Sequence, residues 1–122
     1  MPKMILAADD STLAREALRK IFEAEKDYEL RAEAANGEEA IALAKEYKPD
    51  LIILDMVMPV VNGIEAARVL KRIMPQTPII LFTVYSDTAT HHLLGKNIPI
   101  DRIVAKSEAS SIVSHVRSLI AA

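Results

Sequence analysis

The chain of 122 residues contains no cysteine. Disulfide staples, thiolate metal centres and cysteine nucleophiles are therefore excluded. Glycine occurs only at 37, 63 and 95, so no glycine-rich loop can cradle a nucleotide's phosphates. Aromatic residues make up 4% of the chain, too few for a platform on which bases stack. The formal net charge is −2, with no basic footprint for nucleic acid. No apolar run approaches the roughly 18 residues that span a bilayer. The N-terminus, Met1 to Ala8, meets Asp9 too early for a signal peptide. A cytoplasmic protein with no direct nucleic-acid partner and no membrane contact is the expectation. What remains is a chain that is 51% hydrophobic, enough to build the core of one domain.

Short apolar runs alternate with amphipathic stretches. Met4 to Ala8 ends at Asp9 and Asp10, Leu51 to Leu54 at Asp55, Ile79 to Phe82 at Thr83, and Ile103 to Ala105 at Lys106. Runs of this length without polar alternation read as buried parallel strands. Glu29 to Ala35 does alternate, with Leu30, Ala32 and Ala34 on one side, as an edge strand would. Between the runs, apolar residues recur at helical spacing: Ala14, Ala17, Leu18, Ile21 and Phe22; Ala40, Ile41, Ala44 and Tyr47; Ala66, Ala67, Leu70 and Ile73; Ile112, Val116, Leu119 and Ile120. Ser11 precedes the first stretch as an N-cap, and Asn36-Gly37 and Asn62-Gly63 precede the next two. The pattern predicts an α/β domain with a parallel sheet covered on both faces. A flavodoxin-like doubly wound (βα)5 three-layer sandwich of strand order 2-1-3-4-5 puts the polar second strand at an edge.

In such folds the ligand sits outside the carboxyl ends of the strands. Asp9, Asp10, Asp55, Thr83 and Lys106 all stand at those ends. Taken singly, each has an ordinary reading as a cap, a strand residue or a surface charge. Together they place three carboxylates, a hydroxyl and a cation at one edge. Crowded carboxylates repel and raise one another's pKa, so a hard cation among them is expected. Oxygen-only donors favour magnesium. The lysine and the threonine suit a group bearing several anionic oxygens.

These residues carry a resemblance that runs from end to end of the chain. Asp9-Asp10-Ser11, Asn36 to Ala40, Asp50 to Pro59, Asn62-Gly63, Thr83 and Lys106 resemble the receiver domain of response regulators in two-component systems. The resemblance implies that Asp55 is the phosphoacceptor. It implies Mg2+ held by Asp10 and Asp55 directly, by Asp9 mainly through water, and by the backbone carbonyl of Val57. It further implies that Thr83, Lys106 and the backbone amides of Met56, Val57 and Val84 bind phosphoryl oxygens. A sensor histidine kinase or histidine phosphotransfer protein would be the donor, and an unknown downstream protein the recipient. The whole length, 1–122, reads as a single receiver domain with no output domain, a signalling module and not a turnover enzyme. Members of the family also dimerise through their last helices, although packing on the domain's own sheet accounts for most of Ile112, Val116 and Leu119.

The chain departs from the family at several places. Ser107 follows Lys106 where proline is common, so the family's cis peptide there would cost about 3 kcal/mol. Ile103 stands at the switch position usually held by Tyr or Phe, and coupling is expected to run instead through the backbone after Thr83. Val57 and Tyr85 flank the expected path of a hydrolytic water, and neither is an amide or an acid, which predicts slow loss of the phosphoryl group. A short fourth helix is expected after Asp87, ending near Gly95, with His91 and His92 as ordinary side chains on it. An aspartate-dependent phosphatase would need an acid where Val57 stands. A degenerate receiver that only binds proteins is the alternative reading, against which the intact set of Asp9, Asp10, Asp55, Thr83 and Lys106 argues.

Overall fold

Uninterrupted apolar runs have no polar face to turn toward water, so they are driven to the centre of the molecule. The computed structural model describes residues 2–84 and 99–121, and within them the runs form one parallel sheet. Its strands are β1 (Lys3–Ala8), β2 (Tyr28–Ala34), β3 (Leu51–Leu54), β4 (Ile79–Thr83) and β5 (Arg102–Ala105), in the order β2-β1-β3-β4-β5. This is the flavodoxin-like order expected from the pattern. β2 pairs with β1 alone and lies at an edge, with a register shift between Ile5 and Leu6.

Alternate residues of each strand pack on opposite sides. Leu6, Ile52, Leu54, Ile79 and Leu81 meet Ala40 and Ala44 of α2 (Gly37–Tyr47) and Ala66, Ala67 and Leu70 of α3 (Gly63–Ile73). Ile5, Leu51, Ile53, Ile80, Phe82 and Val104 meet Leu18 and Phe22 of α1 (Thr12–Glu23) and Ile112 and Val116 of α4 (Ile112–Leu119). The result is three layers. A short 3-10 stretch, Lys106–Ser111, joins β5 to α4. Ile103 is partly buried and packs on the α2–α3 side. The segment expected to hold the short fourth helix, with His91, His92 and Gly95, lies outside the described residues, as does Tyr85.

Caps set three helix starts. Ser11, Asn36 and Asn62 each accept from the backbone N–H three residues on, at Ala14, Glu39 and Glu65. Three apolar positions differ from the sequence pattern. Ala17, Tyr47 and Ile73 are exposed. Tyr47 and Ile73 are the last residues of α2 and α3, where a helix runs past the sheet it covers. No peptide bond among the described residues is cis, so the Lys106–Ser107 bond is trans, in keeping with serine where the family has proline.

The loop after β3 holds a backbone outlier. Val60 has φ +69°, a conformation that a β-branched side chain avoids, and the residue is 72% exposed. Exposure means that packing returns little for the strain. Strain of this kind costs about 1–3 kcal/mol, and glycine gives back about 0.5–1 kcal/mol in unfolded-state entropy. Val60→Gly is therefore expected to raise stability by about 1 kcal/mol, read from urea unfolding midpoints. An unchanged or lower midpoint would show that the valine is not strained.

Candidate functional site

The sheet ladder runs one residue beyond β1 and β3. Asp9 N–H donates to the Ala34 carbonyl and Asp55 N–H to the Ala8 carbonyl, each at 2.9 Å. The backbone of both aspartates is therefore held as firmly as strand residues, at the carboxyl edge of the sheet. Thr83 ends β4 and pairs in register with Ala105 of β5. Lys106 follows at once. All five polar residues thus come from strand ends on adjacent strands, and parallel pairing alone brings them to one edge.

Oxygens of Asp9, Asp10 and Asp55 lie within 4.8 Å of one another. Asp9 is 1% exposed and Asp55 7%, while Asp10 reaches solvent. Lys106 Nζ lies 2.6 Å from Asp9 Oδ2 and 3.4 Å from Asp55 Oδ2. Ser11 N–H donates to Asp9 Oδ1 at 2.9 Å. Asp9 Oδ2, although that close to Lys106, accepts no well-formed hydrogen bond. Its contact with Lys106 is that of an ion pair.

Burial pushes the Asp55 carboxyl above the usual carboxylate range, the Asp9 charge adds to this, and Lys106 opposes it. Burial pulls Lys106 down, but its contacts with Asp9 and Asp55 outweigh that and raise it. One cation therefore serves two buried carboxylates and does not fully compensate both. The donor set fits a hard divalent ion: carboxylate oxygens only, no nitrogen or sulfur, and three carboxylates against one lysine. Among the described residues this is the acidic group that a magnesium ion would suit.

Lys106→Met is expected to lower stability at neutral pH by about 2–3 kcal/mol. That is less than the about 3–5 kcal/mol for breaking a buried ion pair, because Lys106 keeps solvent contact and Asp55 can take up a proton. The loss should shrink as the pH falls and Asp55 protonates, which urea unfolding at neutral and acid pH will measure. An equal loss at both would place the effect in packing and not in charge.

The structure adds one residue that no local pattern marked, and it gives Gly37 and Gly63, read from the sequence as helix starts, a further role. Arg15, on α1, donates to the Asp9 carbonyl at 2.6 Å. Gly37 opens α2 and donates to the Val61 carbonyl at 2.9 Å, touching the loop that follows Asp55. A Cβ on Gly37 would stand 2.2 Å from that carbonyl oxygen, and one on Gly63 would stand 2.0 Å from the carbonyl oxygen of Asp55. Both glycines permit an approach of backbone to backbone that no side chain allows. Val57 and Val84 are exposed, and Met56 is partly buried with its carbonyl accepting from Gly63 N–H at 3.0 Å.

No helix among the described residues is long and apolar enough to cross a membrane. Comparisons with known proteins agree with the geometry. The chain is 45% identical over 83 residues to the chemotaxis protein CheY of Halobacterium salinarum, covering 68% of each. It is 41% identical over 81 residues to the uncharacterized transcriptional regulatory protein YxjL of Bacillus subtilis, covering 66% of this chain but only 37% of that protein. Among solved structures, a two-component response regulator of the LuxR family from Aurantimonas superposes with a TM-score of 0.85 at 28% identity, over 98% of this chain and 85% of that one. The family model of the response regulator receiver domain matches residues 5–117. With that match, and with the acidic pocket at the expected edge of the expected sheet, the chain belongs to the response regulator receiver domains of two-component systems.

Proposed function

We propose that this receiver domain is a phosphoacceptor. It takes a phosphoryl group on Asp55 from a sensor histidine kinase or a histidine phosphotransfer protein, and binds a downstream protein differently as a result. The observation that supports this best is the convergence of Asp9, Asp10, Asp55, Thr83 and Lys106, with Lys106 Nζ 3.4 Å from Asp55 Oδ2. An Asp55 oxygen attacks phosphorus and forms the new O–P bond. The bond from phosphorus to the donor's imidazole nitrogen breaks, and its electron pair returns to that nitrogen. Phosphoryl transfer asks for positioning and charge neutralisation more than for covalent help. Lys106 supplies a fixed cation beside the Asp55 carboxylate. Thr83 and the amides of Met56, Val57 and Val84 complete the phosphoryl-binding set. Magnesium, held by Asp9, Asp10, Asp55 and the carbonyl of Val57, would neutralise the carboxylates and the incoming phosphoryl oxygens.

Val57 and Tyr85 are proposed to set how fast the phosphoryl group is lost. The Val57 side chain is exposed and has no polar atom with which to orient a water. Ile103, partly buried on the α2–α3 side, takes the switch position without a ring to swing, so the backbone after Thr83 is left to carry the change.

Incubation with acetyl phosphate and magnesium, followed by intact mass, tests the reading. A single phosphoryl adduct is expected, and none after chelation of the metal. Folded protein that stays unmodified with magnesium present would favour the alternative, a receiver that binds its partners without phosphorylation.

A further inference from the structure

Helix α1 departs from its sequence pattern in a way that bears on the site. Ala17 is exposed, while Arg15 turns partly inward. The Arg15 guanidinium donates from Nη1 to the Asp9 carbonyl at 2.6 Å, and its Nε lies 3.4 Å from Glu33 Oε1. Glu33 belongs to the edge strand β2 and is itself held. It accepts two hydrogen bonds from Arg19, at 2.8 and 2.9 Å. Those bonds keep its carboxyl below the usual range despite partial burial. A continuous set of contacts therefore runs from Arg19 through Glu33 and Arg15 to the loop that carries the acidic pair.

Asp9 is clamped at the other end of its backbone as well, its N–H donating to the Ala34 carbonyl at 2.9 Å. β2 thus holds Asp9 from two sides, through Ala34 directly and through Glu33 by way of Arg15. The carbonyl that Arg15 holds belongs to the peptide joining Asp9 to Asp10. Fixing the plane of that peptide fixes where the Asp10 N–H and Cα stand, and so the point from which its side chain starts. Asp10 is exposed, so packing does little to hold it, and the fixed peptide before it is the restraint the structure supplies.

We infer that Arg15 is a positioning residue of the acidic site, with Glu33 as its anchor, and that together they hold the Asp9–Asp10 peptide in the geometry a small hard cation requires. The inference rests on the proposed magnesium site. Magnesium tolerates little misplacement of its ligands, whereas calcium accepts irregular and flexible sets. Residues behind the ligands commonly change metal affinity by about 10–100-fold. Lysine keeps the charge of arginine but lacks the planar fork that reaches a carbonyl and a carboxylate at once. Arg15 is also a cation near carboxylates. If charge were its only effect, it would repel a metal, and removing it would tighten the binding of any divalent ion.

The test titrates the full chain and the variants Arg15→Lys, Arg15→Gln and Glu33→Gln with magnesium and with calcium, followed by backbone amide NMR. Arg15→Lys is expected to lose about tenfold in magnesium affinity and no more than about twofold in calcium affinity. Glu33→Gln should lose less, in the same direction. In ion-free protein, Arg15→Lys should also shift the Asp10 amide nitrogen, because that N–H shares its peptide with the Asp9 carbonyl. A merely structural role would move neither the magnesium-to-calcium ratio nor that resonance selectively. Arg15→Lys binding magnesium like the parent, equal losses for the two ions, or tighter binding of both by Arg15→Gln would each overturn the inference. If the parent itself bound no magnesium, the proposed function would fall and the role of Arg15 with it. Parent binding with an unaltered Arg15→Lys removes the strut alone.

Discussion

Asp55→Asn is expected to take up no phosphoryl group and, free of metal, to melt above the parent protein at neutral pH. The first half follows from chemistry, since a carboxamide offers no anionic oxygen to attack phosphorus. The second follows from the sign of the shift. Burial and the Asp9 charge raise the folded-state pKa of Asp55, with Lys106 opposing. A carboxyl raised on folding contributes stability below its unfolded pKa and loses it as the pH rises through its folded pKa. At neutral pH the parent therefore carries the full cost of an ionised Asp55, and asparagine removes it. Lys106 keeps Asp9, 2.6 Å away, as a partner in the variant. The gain should fade at acid pH, where Asp55 of the parent is protonated too. Intact mass after treatment with acetyl phosphate checks the first half, and thermal melts across the acid-to-neutral range check the second. An adduct on the variant would move the phosphoacceptor elsewhere, and a variant less stable at neutral pH would mean that Lys106 outweighs burial.

Gly63→Ala should lower stability by about 3–5 kcal/mol, above the about 1–3 kcal/mol that overpacking usually costs, because the clash is with fixed backbone. A Cβ there would lie 2.0 Å from the Asp55 carbonyl oxygen and 2.9 Å from its carbon. Neither atom is the end of a flexible side chain. Asp55 is pinned to β1 through its N–H, so its carbonyl cannot retreat without disturbing the ladder. The substitution also strains the bond from Gly63 N–H to the Met56 carbonyl. Gly37→Ala meets the Val61 carbonyl at a similar distance, 2.2 Å, but Val61 sits in the loop before α3 and can shift. It should cost less, about 1–3 kcal/mol. Urea unfolding of the two variants ranks them, and the reverse order would show that the loop is stiffer than the strand end. Because Gly63 touches the residue that carries the carboxylate, its alanine variant should also accept phosphoryl groups more slowly per folded molecule.

Part of this protein is legible without coordinates because the relevant physics is local. The apolar runs at 4–8, 51–54, 79–82 and 103–105 have no polar alternation, and burial on both faces is the only environment that suits them. Each ends in a polar residue, and parallel pairing brings those ends to one edge of the sheet. The helix starts at Ser11, Asn36 and Asn62 are equally local, since an N-cap bonds a backbone group three residues away. Helical stripes are less reliable at their ends. Tyr47 and Ile73 continue the periodicity of α2 and α3 but are exposed, because periodicity records which side a residue is on and not whether anything covers it.

Other features depend on contacts between residues far apart in the chain, and no pattern within a helix or strand records them. Arg15 reads as a solvated charge on α1. Its place beside Asp9 is set by the loop closing back over the helix start and by Glu33 arriving on β2. Lys106 sits nearer to Asp9 than to Asp55, a preference decided by how β5 lies against β4 and invisible in the order of residues. Val60 at positive φ and Gly37 against Val61 likewise follow from fitting the loop after Asp55 between two helix starts. The sequence by itself determined the strands, their polar ends and hence the set of groups at the binding edge, because hydrophobic burial and parallel pairing act on short segments. Only the tertiary structure decided which cation faces which carboxylate and what holds the acidic pair in place, because those energies depend on distances of a few ångströms between elements that the chain brings together only when it folds.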